Sequence, residues 1–176
     1  MLFFTTGYLG DRTPKGDPKA ARLRQMVMEQ DWIVADIRDV PWSQAPCWRK
    51  AALEQILGGR YVHIPQLGNA TKRTGQITIR DMEAGLDRVL APVRTGSTSY
   101  APLIRDMEAG LDRVLALPRP ALLLCCCPNF FDCHREEVAR ALVKRPGVTN
   151  IVEITHWEPM YTAVPIFGGD REGSYA

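Results

Sequence analysis

Short apolar runs alternate with segments of helical spacing along this chain. The runs are rich in β-branched and aromatic residues and are bounded by turn residues, which indicates buried strands. We predict strands at residues 2–8, 32–38, 61–65, 121–126 and 150–155 and helices at residues 18–30, 48–57 and 134–144. The alternation predicts one three-layer α/β domain with a mostly parallel, Rossmann-like sheet.

Turn and capping residues set the limits of these elements. Asp17 is placed to cap the first helix, with Pro18 at its first position, and Gly58-Gly59 ends the second helix. We assign residues 1–157 to the domain. Residues 158–176 are rich in glycine and proline and are predicted to be irregular.

The sequence IRDMEAGLDRVLA occurs twice, at residues 79–91 and 104–116. Its apolar positions form one face of a helix, and the central glycine costs about 1 kcal/mol against alanine, so tertiary packing must support it. Thirteen identities indicate a tandem duplication rather than an old structural repeat. The two copies either compete for one groove on the sheet or pack side by side. In the first case the extra copy is peripheral and favours self-association.

Composition narrows the class of protein. Hydrophobic residues make up 45% of the chain and charged residues 24%, as in ordinary globular proteins, and no run is long enough to span a membrane. The net charge of +2 does not by itself indicate nucleic-acid binding. Five cysteines, three of them consecutive, together with no recognisable signal peptide, predict a cytoplasmic protein with free thiols.

Polar residues follow four of the predicted strands. Because ligands bind outside the carboxyl ends of parallel strands, these residues are expected to converge at one edge of the sheet. We predict catalytic roles for four of them and ligand-binding roles for five. The catalytic set is His63, Cys125, Cys133 and His134, and the ligand-binding set is Tyr8, Asp36, Arg38, Asn69 and Arg135.

The segment CCCPNFFDCHRE (125–136) carries the most distinctive chemistry. It is not a phosphatase loop, because the position six before Arg135 is Asn129. A helix beginning near Asp132 would lower the pKa of a nearby thiol and would bind an anion at its N-terminus. A metal site formed by Cys127, Cys133, His134 and His63 is an alternative, although the sequence pattern assigns no residue as a metal ligand.

Four ordered motifs resemble the domain-of-unknown-function family 488. They are Gly7-Tyr8, the DIRDVPWS segment, the HIPQLG element and the cysteine-rich strand end followed by Cys-His-Arg. The resemblance covers about residues 3–156. It implies that one helix connects the Leu-Gly-Asn turn to the cysteine-bearing strand, and hence that residues 92–116 are an added unit.

The leading hypothesis is a cleft that binds a small phosphorylated or nucleotide-like anion. Arg38 and Arg135 would hold the anion, while His63 or His134 acts as acid or base. Enzyme and binding domain both remain open, as does the cofactor. The alternatives are a non-catalytic nucleic-acid or protein interaction domain and a metal-binding or redox Cys/His protein.

Overall fold

A mostly parallel sheet organises the chain. The computed structural model describes residues 1–8, 18–69, 104, 106–131, 133–156 and 162–167. Within these residues the strands are β1 (Leu2–Gly7), β2 (Ile33–Asp36), β3 (Tyr61–His63), β4 (Ala121–Cys125), β5 (Asn150–His156) and β6 (Thr162–Phe167). They are ordered β3-β2-β4-β1-β5-β6, and only the β5–β6 pair is antiparallel. The predicted α/β class is confirmed.

Helices cover both faces of the sheet. They are α1 (Pro18–Glu29), α2 (Lys50–Leu57), α3 (Met107–Leu115) and α4 (His134–Leu142), and short 3-10 turns lie at Pro46–Trp48, Gly58–Arg60 and Pro65–Leu67. Alternate side chains of a strand point to opposite faces. Accordingly Val34 and Leu122 pack in the core with α1 and α2, whereas Ala35 and Leu123 pack in a second core with α3 and α4. The domain therefore has three layers.

Several predicted boundaries differ from the structure. The second helix begins at Lys50 instead of 48, because Pro46 opens a separate 3-10 turn. The prediction of an irregular segment over residues 158–176 is wrong at Thr162–Phe167, which pair with β5. Pro165 lies in this outermost strand, where a missing N–H is tolerated.

The second copy of the repeat forms α3, and the first copy lies outside the described residues. Leu111 and Val114 are fully buried in the α3–α4 core, so this copy does not lie on the periphery. The assignment of residues 92–116 as an added unit stays a prediction. No helix within the described ranges is both long and apolar enough to cross a bilayer.

Candidate functional site

Backbone hydrogen bonds align the segments that leave the carboxyl ends of four strands. The N–H of Tyr8 donates to the carbonyl of Cys125 (3.1 Å), and the N–H of Ile37 donates to that of Leu124 (3.1 Å). The N–H of Ile64 donates to the carbonyl of Asp36 (2.9 Å). The ladder therefore continues past the strand ends, and the predicted polar segments reach one edge of the sheet.

Asp36 and Arg38 form a buried ion pair on the α1–α2 face of the sheet. The guanidinium donates to both carboxylate oxygens, through Nε to Oδ1 at 2.7 Å and through Nη2 to Oδ2. Its Nη1 donates to the hydroxyl of Tyr8 (2.6 Å) and to the carbonyl of Trp48 (2.9 Å). The hydroxyl of Tyr61 donates to Asp36 at 2.7 Å. Arg38 is 4% exposed, so this network is part of the interior.

Arg135 is equally enclosed, but on the α3–α4 face. Its Nη1 donates to Glu153 (3.2 Å) and to Thr5 (3.5 Å), and its Nη2 donates to the carbonyl of Cys127 (3.0 Å). Its Nε approaches the sulfur of Cys133 at 3.4 Å. The side chain has no exposed surface. Burial raises the pKa of Glu153, and the charge of Arg135 opposes that rise.

The two guanidinium groups therefore do not face one anion-binding hollow. Arg38 bonds within the α1–α2 layer, Arg135 bonds within the α3–α4 layer, and the sheet lies between them. Each makes four hydrogen bonds to protein groups. The structure thus gives both arginines a role that the sequence did not predict, in which they neutralise buried carboxylate or thiol groups.

Cys125, Cys133 and His134 come together at the start of α4. Their sulfur and Nδ1 atoms all lie within 4.8 Å of one another. The Nδ1 of His134 is 3.7 Å from the sulfur of Cys125 and 3.8 Å from that of Cys133. The sulfur of Cys127 is 3.9 Å from that of Cys125. Strand β4 supplies Cys125, and Cys133 is the residue that caps α4.

Hydrogen bonds set the protonation of this cluster. The carbonyl of Ile37 can only accept, so the Nε2 of His134 donates to it (3.0 Å) and Nδ1 keeps its lone pair toward the thiols. Burial lowers the pKa of His134, which keeps the ring neutral. Hydrogen bonds from Cys125 and Cys127, together with the charge of Arg135, lower the pKa of Cys133 to about 3.

The other two thiols respond in opposite directions. Hydrogen bonding to its cysteine neighbours raises the pKa of Cys125, because the thiol acts as the proton donor to them. Hydrogen bonds from Cys125 and then Cys126 lower the pKa of Cys127 to about 6. The cluster thus combines a buried thiolate, a neutral imidazole lone pair and one retained thiol proton.

A cleft of about 110 Å³ opens beside the cluster. Its wall is formed by Arg38, Asp39, Val40, Trp42, Asn69, Cys125, Cys126 and His134. Trp42 is 61% exposed at this rim. His63 is outside the described groups of closely spaced ligand atoms, and its Nε2 hydrogen-bonds the carbonyl of Arg38 (2.8 Å).

Two residues that complete the site were missed in the sequence. Tyr61 donates to Asp36, and Glu153 pairs with Arg135. Glu153 had a readable signal, since an acidic residue inside the apolar run IVEIT requires a buried partner. Tyr61 had none, because a tyrosine at the start of a strand is ordinary.

These features define an α/β protein with a Cys/His cluster at the carboxyl edge of its sheet. The family model described as domain of unknown function DUF488 matches residues 25–142, which is more than half of the chain. The chain belongs to this family. No curated protein and no solved structure matches it.

Proposed function

We propose that this protein binds a zinc ion through Cys125, Cys133 and His134, whose ligand atoms all lie within 4.8 Å of one another. The observation that carries the proposal is the spacing of the ligand atoms. In a tetrahedral zinc site, bond lengths of about 2.3 Å to sulfur and 2.0–2.1 Å to nitrogen place two sulfurs about 3.8 Å apart and sulfur about 3.6 Å from nitrogen. The Nδ1 of His134 is 3.7 Å from the sulfur of Cys125 and 3.8 Å from that of Cys133, and the two sulfurs lie within 4.8 Å of each other.

The surroundings of the cluster also suit a metal ion. A histidine that binds a metal usually donates its other ring N–H to a carbonyl or carboxylate, as His134 does to Ile37. The backbone N–H of Arg135 lies 3.5 Å from the sulfur of Cys133, and the guanidinium of the same residue offsets the negative charge of a thiolate ligand set. Zinc prefers such sulfur and nitrogen ligands, and carboxylate-binding ions do not.

Two features favour this proposal over an anion held by Arg38 and Arg135. Both guanidinium groups are already bonded within the protein, on opposite faces of the sheet. The cleft is lined by Cys125 and His134 but not by Arg135, so a ligand in it would lie beside the metal centre without reaching the second arginine. A small anion in the cleft remains an alternative, and such an anion would lie beside the ion and beside Arg38, but not beside Arg135.

The test is elemental analysis of untagged protein purified under reducing conditions. We expect stoichiometric zinc and, after replacement by cobalt, a sulfur-to-cobalt charge-transfer band. Cys133→Ser should weaken zinc binding, measured by competition with a chromophoric chelator, by more than the about 10- to 100-fold that loss of an outer-shell partner costs. Cys47→Ser is the matched control, because Cys47 lies in the Pro46–Trp48 turn and outside the described cluster.

A histidine control separates this ligand set from the one considered from sequence. His63→Gln should leave zinc affinity unchanged, because His63 bonds the carbonyl of Arg38 instead of joining the cluster. His134→Gln should weaken it as strongly as Cys133→Ser. The zinc proposal would be contradicted if the protein took up neither zinc nor cobalt. Rapid alkylation of Cys133 at pH 6 would then indicate a reactive thiolate instead of a metal site.

A further inference from the structure

The contacts that hold α3 against the domain all start from residues inside the repeated sequence. Ile104 forms an antiparallel bridge with Asn69, and the N–H of Asp106 donates to the carbonyl of Gln66 (2.8 Å). The guanidinium of Arg113 donates to the side chain of Gln66 at 2.9 Å. All three anchoring residues fall within residues 104–116, the second copy.

The packing of α3 is specific in shape as well as apolar. A Cβ at Gly110 would lie 2.5 Å from the side chain of Leu67, so the helix and the Pro65–Leu67 turn touch at this glycine. Leu111 and Val114, on the same helix, are fully buried in the α3–α4 core. The glycine, which weakens the helix by itself, is therefore required by the groove.

Each of these residues has an identical counterpart in residues 79–91. Gly85, Leu86 and Val89 stand where Gly110, Leu111 and Val114 stand in the second copy. We propose that the groove formed by Leu67, the sheet and α4 accepts either copy, so that the protein exchanges between two states in which a different copy forms the docked helix. Sequence identity makes the intrinsic docking energy of the two copies equal, and only the connecting segments differ.

The connecting segments make the two states close in free energy. When residues 104–116 are docked, the connections are residues 70–103 and 117–120, with 34 and 4 residues. When residues 79–91 are docked, they are residues 70–78 and 92–120, with 9 and 29 residues. The probability that a flexible connection closes falls as the 3/2 power of its length. Comparing the two pairs of connections, docking of the second copy is favoured only about threefold. The structure shows that favoured state.

Exchange would move a segment between opposite ends of the sheet. Asn69 follows β3 at the carboxyl edge and lines the cleft, whereas Ala121 opens β4 at the other edge. The copy that is docked therefore decides where the 25 additional residues lie in the connections: after Asn69, beside the cleft, or before Ala121, at the opposite end of the strands. This consequence is independent of the zinc proposal, because it uses none of the cluster residues.

The test compares Leu111→Ala, Leu86→Ala and the double variant in the full chain by urea denaturation. With exchange, Leu111→Ala should lower the apparent folding constant only about fourfold, because the first copy takes over the groove. Leu86→Ala should lower it less than about twofold. In the double variant the apparent folding constant should fall about 30- to 5000-fold, as expected for truncating a buried leucine.

A groove served by the second copy alone gives a different pattern. Leu111→Ala would then lower the apparent folding constant as much as the double variant does, and Leu86→Ala would leave it unchanged. This pattern would overturn the proposal. A one-copy chain is the matched control, since deleting residues 79–103 or 92–116 leaves the same sequence. In that chain Leu111→Ala should show the full loss, because no second copy can replace it.

Discussion

Replacing Arg38 with methionine removes the cation of the buried ion pair and keeps a side chain of similar length. Asp36 would retain the hydroxyl of Tyr61 (2.7 Å) and the backbone N–H of residue 38 (3.1 Å), but no positive charge. Breaking a buried pair in this way costs about 3–5 kcal/mol. Because Asp36 keeps two hydrogen bonds, we expect the free energy of unfolding to fall by about 3 kcal/mol, the low end of this range. This corresponds to a fall of about 6–12 °C in melting temperature.

The assay is urea and thermal unfolding of the wild type, Arg38→Met and the double variant Asp36→Asn/Arg38→Met. The double variant should recover part of the loss, because it removes the uncompensated charge as well. A single variant as stable as the wild type would refute the structural role of Arg38. Stabilisation of the wild type by inorganic phosphate that disappears in Arg38→Met would restore the anion-binding role predicted from the sequence.

Two further outcomes follow from the same contacts. Burial and the charge of Asp36 raise the pKa of Tyr61, so the stabilising contribution of this hydroxyl is present below pH about 10 and is lost above it. The free energy of unfolding, measured with urea at increasing pH, should therefore fall more steeply above pH about 10 for the wild type than for Tyr61→Phe. Parallel pH profiles of the two proteins would contradict this. A Cβ at Gly7 would lie 1.7 Å from the carbonyl oxygen of Cys127, so Gly7→Ala should lower both melting temperature and zinc affinity. Gly59→Ala, with no atom within 4 Å of its Cβ, should change neither.

The elements with strong local signals were predictable from the sequence. Strand β4 lies within a continuous apolar run, and α1 begins at Pro18, where Asp17 and Pro18 predicted it. Strand β6 was not predictable, because its glycine- and proline-rich surroundings resemble a loop. Its strand conformation depends on pairing with β5, which is a long-range interaction.

Cys125, Cys133 and His134, which the structure brings together, are in the set predicted from the sequence, but their contacts were not predicted. Asp36, Arg38 and Cys125 were predicted because they lie at the carboxyl ends of predicted parallel strands, where ligands bind in α/β folds. Their partners do not follow from this position. Whether an arginine meets a carboxylate inside the protein or an anion in a cleft depends on side chains from other strands, such as Glu153 and Tyr61.

The sequence by itself determined the α/β class and the segments that meet at the carboxyl edge of the sheet, because apolar period and turn chemistry are local properties. It also showed that one 13-residue sequence occurs twice. Only the tertiary structure decided that Arg38 and Arg135 are buried on opposite faces and that two cysteines and His134 approach within ligand distance. The physical reason is that strand pleat and helix packing, which no local pattern encodes, choose the face to which each side chain points.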